Sequence, residues 1–291
     1  MGTATAINAA ASGTFTIGGD LTVNRMGFGA MRITGPGIWG DPKDPAECRK
    51  VLRRAVDVGV NFIDTADAYG PETSENLIAE ALHPYKNDLV VATKGGLTRQ
   101  GPDRWESVGR APYLIQCVEL SLRRLKVDTI DLYQLHRIDA KVPVEESLGA
   151  LKELQQQGKI RHIGLSEVSV AEIEQARKVV DIVSVQNLYN LSNRQSDAVL
   201  KYCEENGIAF IPWFPVAAGE LTKPGGHLDT LGKQKDATVA QLALAWLLKR
   251  SPVMVPIPGT SSVAHLEENV AASGIEITEE EMAEIERLSQ S

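Results

Sequence analysis

Eight short apolar runs recur along the chain from Arg25 onward, and a longer segment with apolar residues on one helical face follows each of them. The runs are RMGFGAM (25–31), NFID (61–64), DLVVATK (88–94), TIDLYQLH (129–136), IRHIGLS (160–166), DIVSVQ (181–186), IAFIPWF (208–214) and VMVPI (253–257). Each is short and mostly apolar, as a parallel strand covered on both faces should be. The segments between them read as helices: PAECRKVLRRAVDVG, for example, has Pro45 where a first turn tolerates proline and Gly59 as a stop. Eight strand and helix pairs without a linker predict an α/β fold of the (β/α)8 TIM-barrel type, and 291 residues suit one such barrel. A β-hairpin at 14–23 with the turn GGD precedes the first pair, and TEEEMAEIERLS, opening on a Thr cap with Glu three residues later, adds an extra C-terminal helix. Residues 1–13 are expected to fray, leaving 14–291 as a single domain. The competing architecture is an open doubly wound sheet. It requires a glycine-rich first turn, and GFGAMR has Arg32 where the third glycine belongs.

Charge narrows the partners. The formal net charge is −8 and no basic run is interleaved with aromatics, which argues against nucleic acid. Cys48, Cys117 and Cys203 stand far apart, suggesting neither a disulfide framework nor a CxxC motif and fitting a reducing, cytoplasmic location. The start MGTATAINAAASG lacks the pattern of a signal peptide, and no apolar run approaches the roughly 20 residues of a membrane helix.

In a barrel of this kind chemistry belongs at the ends of strands. Asp64 closes the second run, Tyr69 lies in the loop behind it, Lys94 closes the third run and His136 the fourth. An ammonium paired with a carboxylate and placed near a phenol favours the phenolate, so Lys94 is expected to lower the pKa of Tyr69 from about 10. The imidazole can orient a carbonyl oxygen, so the four compose a general acid with its tuning groups. A nucleophile is missing: GLSEVS contains Ser166 without the GxSxG elbow. The five histidines show no metal-ligand spacing, so no metal is expected. A general acid without nucleophile or metal suits carbonyl reduction by hydride from a bound cofactor.

The motifs NFIDTADAYG, VVATKGG, DLYQLHRID, QQGKIRHIGLSEVS, VQNLYN and IPGTSSVAHLEENV, in that order over about 14–288, make the chain resemble the aldo-keto reductases, particularly bacterial and plant branches that include pyridoxal reductases. The resemblance implies an NADPH-dependent enzyme, with NADH as the alternative. It implies Tyr69 as proton donor, Lys94 as its tuner, Asp64 as the partner of Lys94, and His136 as the orienting group. It places Ser166 and Gln186 on the nicotinamide carboxamide and Trp213 against the ring. Ala30, Met31, Asp64 and Ile257 are assigned to the cofactor as well, with Phe214, Pro215 and Val216 offering backbone to the pyrophosphate. Gly259 and His265 occupy the 2′-phosphate site, where many members present Lys and Arg; Thr260, Ser261 and Ser262 would hold a phosphate, and Glu268 and Asn269 would face adenine. Two further departures are Glu167 in place of the usual Asn and Phe214 in place of a hydroxyl. Met31, Trp39, Tyr69, Trp105 and His136 are the expected substrate contacts, for an aromatic or medium-sized carbonyl compound acted on by a monomer or weak homo-oligomer. The alternative function is a non-catalytic NADP(H)-binding sensor of the channel-beta type.

Overall fold

The computed structural model describes residues 7–216 and 227–288. A hairpin of β1 (Thr14–Ile17) and β2 (Leu21–Asn24) opens the fold, and its GGD turn sits where the sequence places it. The barrel strands are β3 (Phe28–Gly29), β4 (Phe62–Asp64) and β5 (Val90–Gly95), then, after a second hairpin of β6 (Leu97–Gly101) and β7 (Arg104–Ser107), β8 (Ile130–Leu135), β9 (Ile160–Ser166), β10 (Ile182–Leu188) and β11 (Ala209–Trp213). The seven barrel strands form one parallel sheet in chain order. Residues 253–257, the expected eighth strand, close it. Phe210 N–H donates to Val253 O at 2.9 Å, Val255 N–H to Phe210 O at 2.8 Å, and Gly27 N–H to Pro256 O at 2.9 Å. This strand is reduced to a single bridge, Phe210 to Met254, because Pro252, Pro256 and Pro258 leave it few N–H donors.

The helices are α1 (Pro45–Asp57), α2 (Thr73–Leu82), α3 (Ala111–Leu125), α4 (Val144–Gln156), α5 (Val170–Arg177), α6 (Asp197–Asn206), α7 (His227–Lys235), α8 (Val239–Arg250), α9 (Val263–Ala271) and α10 (Glu279–Leu288). In α1 the Asp44 side chain caps Glu47 N–H, Pro45 takes the first turn, and Cys48, Val51, Leu52 and Ala55 face inward. The Thr cap expected at the last helix is present: Glu281 N–H donates to Thr278 Oγ1 at 3.2 Å and Thr278 N–H to Glu281 Oε2 at 2.8 Å. Helix α7 and the β6–β7 hairpin are additions to the eightfold reading.

Two cores result. The strand faces and helices enclose the larger one. The other fills the barrel with Phe62, Val90, Ala92, Leu132, Ile211 and Val255 and is stoppered below by Ile17, Leu21 and Val23 of the first hairpin. The expected fraying of 1–13 is corrected from residue 8 on; residues 1–6 lie outside the described residues. Ala9–Ser12 forms a 3₁₀ turn with Ala9 buried, Ala9 N–H donating to Val58 O, and Ser12 Oγ accepting from Met26 N–H. An apolar alanine with a long-range backbone bond is held even in a small, polar segment.

At the top of the seam Gly259 lies against Gly29. A Cβ on Gly259 would stand 2.5 Å from Gly29 O, so these two backbones meet where a side chain has no room. Among the described residues no helix is long and apolar enough to cross a membrane, and no group of three or more His, Cys, Asp or Glu could hold a metal ion.

Candidate active site

Strand register brings the polar strand ends together. Asp64 pairs with Ala92 across β4 and β5, so Lys94, two residues on, projects from the same face of β5. Lys94 in turn pairs with Gln134, and His136 follows Gln134 by two. The Lys94 ammonium donates to Asp64 Oδ2 at 2.6 Å and to Thr65 O at 2.8 Å, and reaches Tyr69 Oη at 3.5 Å. Asp64 Oδ1 accepts from Gln134 Nε2 and from Gln186 Nε2, each at 2.9 Å. A fully buried ammonium is tolerable only with such saturation of its partner.

The loop from Asp64 returns Tyr69 over this pair. Thr65 and Ser74 exchange a 2.7 Å hydroxyl bond and Tyr69 N–H donates to Ala66 O, which holds the loop as a tight turn. The Tyr69 ring meets His136 edge-on at 5.9 Å and Trp105 edge-on at 6.4 Å. His136 Nδ1 is buried with no hydrogen-bond partner among the described residues.

Electrostatics divide the roles. Burial presses on the Lys94 ammonium, but Asp64 and then Tyr69 outweigh it, and its pKa lies above the ordinary lysine value. Burial likewise raises Tyr69, and Lys94 offsets this without reversing it, so the net shift is upward. The expected lowering of the phenol is therefore corrected: Lys94 acts with the anticipated sign, and desolvation of the phenolate exceeds it. His136 is driven well below its usual range by burial, reinforced by Lys94, Arg137 and Arg99, so the imidazole is neutral.

Above the cluster opens a cavity of about 630 Å³. Of the residues read from the sequence, Met31, Asp64, Tyr69, Trp105, His136, Ser166, Gln186, Trp213, Phe214, Pro215, Val216, Ile257 and Gly259 line it. Lys94 lies beneath, reaching it through Tyr69. Ala30 is buried behind the wall, its carbonyl accepting from Ser74 Oγ. Thr260, Ser261, Ser262, His265, Glu268 and Asn269 do not line the cavity; they run from the strand-eight end into α9. Glu268 is engaged elsewhere, accepting from Thr238 Oγ1 at 2.7 Å. Trp39, an expected substrate contact, is also outside the lining: its backbone bridges Gly70 and the Arg99 guanidinium lies 5.6 Å over its ring, so Ile38 faces the cavity instead.

Sequence reading missed Gly29, Arg32, Ile38, Leu97, Ser107 and Arg137 in the lining and Gln134 beneath it. Gln134 and Arg137 were within reach: a polar residue two before His136 in a buried strand shares its face, and Arg137 directly follows the strand end. Arg137 Nη1 donates to His136 O at 2.6 Å and Ser166 Oγ at 3.0 Å. The Ser166 hydroxyl, expected on a carboxamide, thus already accepts one bond. Gln186 similarly gives its amide N–H to Asp64.

The comparisons agree with this architecture. Residues 25–290 match the model of the aldo/keto reductase family. An uncharacterized oxidoreductase of Schizosaccharomyces pombe is 54% identical over 98% of this chain and 93% of its own length. The pyridoxine 4-dehydrogenase of Escherichia coli is 42% identical over 96% of this chain and 99% of its own. Among solved structures, an aldo-keto reductase from Klebsiella pneumoniae in complex with NADPH superposes with a TM-score of 0.82 at 25% identity, covering 95% of this chain and 94% of that one. The glycerol dehydrogenase of Gluconobacter oxydans gives 0.82 at 29% identity and 95% coverage of both chains. With the family's model spanning the barrel from its first strand through α10, and relatives matched nearly end to end, this chain belongs to the aldo/keto reductase family.

Proposed function

We propose that the protein is an NADP(H)-dependent oxidoreductase that reduces an aldehyde, and most readily an aromatic one such as pyridoxal, to the alcohol. The observation that carries this reading is the neutral phenol of Tyr69 held 3.5 Å from a buried, charged ammonium at the floor of a deep cavity. Ser166, Gln186, Trp213 and Gly259 line that cavity and fit an elongated cofactor: a flat aromatic wall, amide and hydroxyl groups, and a side-chain-free edge. When bound, the cofactor supplies the hydride. Tyr69 gives its proton to the carbonyl oxygen, and the phenolate left behind is stabilised by Lys94, which Asp64 keeps charged and in place. Neutral His136, beside the phenol, orients the carbonyl by a hydrogen bond without competing as an acid. Ile38, Leu97 and Trp105 give the substrate end apolar walls. The name of the Escherichia coli relative supports a pyridoxal-type substrate. Three buried, unbridged cysteines suit a cytoplasmic setting.

The test is loss of NADPH absorbance with a panel of aromatic aldehydes and pyridoxal, run for wild type and Tyr69→Phe. Turnover in wild type with at least a roughly 100-fold loss in the variant is expected, the low end of what a general acid contributes. Full activity of Tyr69→Phe would remove the assignment.

A further inference from the structure

Glu167 has a defined position. It adopts a left-handed backbone conformation (φ 54°), uncommon for a residue with a side chain, directly after the end of β9. Its N–H donates to Gln186 O at 2.9 Å, fixing the turn against β10. From that turn the carboxylate reaches two donors through one oxygen: Leu188 N–H at 2.6 Å and Trp213 Nε1–H at 2.6 Å. Leu188 and Trp213 are register partners across β10 and β11, so one carboxylate oxygen fastens the last rung of that ladder and the indole hanging from it. Trp213 lines the cavity next to Ser166 and Gln186, and its neighbour Phe214 is tilted away at 51° and half exposed. The Phe214 ring lies beside the indole at 6.3 Å between centroids.

We propose that Glu167 is a positioning residue: its carboxylate sets the orientation of the Trp213 indole, and the two side chains act as one unit in binding the flat nicotinamide end of the cofactor. The inference rests on the cofactor reading above. A charge-assisted bond to an indole N–H restricts rotation about the tryptophan side-chain torsions, so the aromatic wall is set before the ligand arrives and less conformational freedom is lost on binding.

The experiment uses full-length protein labelled with ¹⁵N at tryptophan, with NADPH affinity measured by calorimetry. Trp213→Phe assigns the Trp213 indole resonance among the four tryptophans. Glu167→Ala is expected to move that resonance upfield and to weaken NADPH binding about 10-fold, the size of one charged hydrogen bond. Glu167→Gln, which keeps an accepting oxygen but not the charge, is expected to recover part of both. In a Trp213→Phe background Glu167→Ala should change affinity less than about 2-fold, since the pair is already broken. An unmoved indole resonance in Glu167→Ala, or an equal loss of affinity in both backgrounds, overturns the proposal. Wild-type protein that fails to bind NADPH while the resonance still moves would sink the cofactor reading, and the binding role with it, and leave the carboxylate–indole bond standing.

Discussion

Tyr69 and His136 meet edge to face, and burial shifts their pKa values in opposite directions, so the phenol alone should show in the pH profile. On the proposed mechanism reduction needs the protonated phenol, which persists below a pKa that burial raises above the ordinary value of about 10. Reduction of a fixed aldehyde should therefore hold its rate from neutral pH to about 10 and fall only beyond it. No acidic limb should appear near pH 6.5, because the imidazole is neutral well below that. A limb there in kcat against pH would contradict the assigned state of His136. Asp67, two residues before Tyr69 in the same loop, carries a separate load. Burial first, and then Glu75, push its pKa up to about 7, and its Oδ1 has no hydrogen-bond partner among the described residues. With a folded pKa above the unfolded one, the native state holds the extra proton between about pH 4 and 7, so the carboxyl lowers stability as pH rises through that window. Asp67→Asn should raise stability at pH 8 by roughly 4 kcal/mol at most, seen as a higher melting temperature, and leave it unchanged below about pH 4. Equal melting shifts at both pH values would refute the linkage.

The β6–β7 hairpin shows what an element adds that a motif does not announce. Arg99, on its first strand, stacks its guanidinium 3.6 Å over the Trp105 ring and donates to Ile38 O and Ala68 O, each at 2.7 Å, and to Gly37 O at 2.9 Å. It fastens the loops holding Gly37, Ile38 and Ala68 to its own hairpin at the cavity mouth. Arg99→Ala should raise KM for aromatic aldehydes by about 10-fold, from one cation–π contact and several carbonyl bonds. It should leave kcat within about 3-fold, because Tyr69 and Lys94 are untouched; a fall in kcat with constant KM would reassign it. Nothing in the sequence marks Arg99, since its partners are backbone carbonyls of distant loops. Trp39 was misplaced for the same reason: Ile38, in a left-handed conformation (φ 54°), turns the loop so that the tryptophan leaves and the isoleucine enters. Asp64, Lys94 and His136 were legible because a buried strand has a period of two and a polar residue at its end has one face to point to. The eightfold order was legible likewise, while the short eighth strand was not, since its pairing depends on which N–H groups the prolines leave.

Closure of the whole barrel rests on a seam between its first and last strands, and Arg25 sits under it. Its guanidinium donates to Met254 O at 3.1 Å, to Leu248 O at 2.7 Å, and to Ser251 O, while Nη1 reaches Ser12 O at 3.5 Å. One side chain thus ties the N-terminal turn, the end of α8 and the closing strand. Arg25→Ala should cost about 3 kcal/mol, the scale of charged bonds to buried carbonyls, and lower Tm by about 6–12 °C in a chain of this size. Arg25→Lys, which keeps the charge and loses the fork, should recover less than half of that in a thermal melt; full recovery would show that charge alone closes the seam. At the other end of the seam, Gly259 rests on the backbone of Gly29, and the Arg32 side chain approaches within 3.5 Å of the point where its Cβ would stand. Anyone redesigning coenzyme choice would naturally try a basic residue at 259. That route is barred, because the new side chain would pry the first and eighth strands apart; on the proposed coenzyme site, the exposed first turn of α9 at His265 is the position to change.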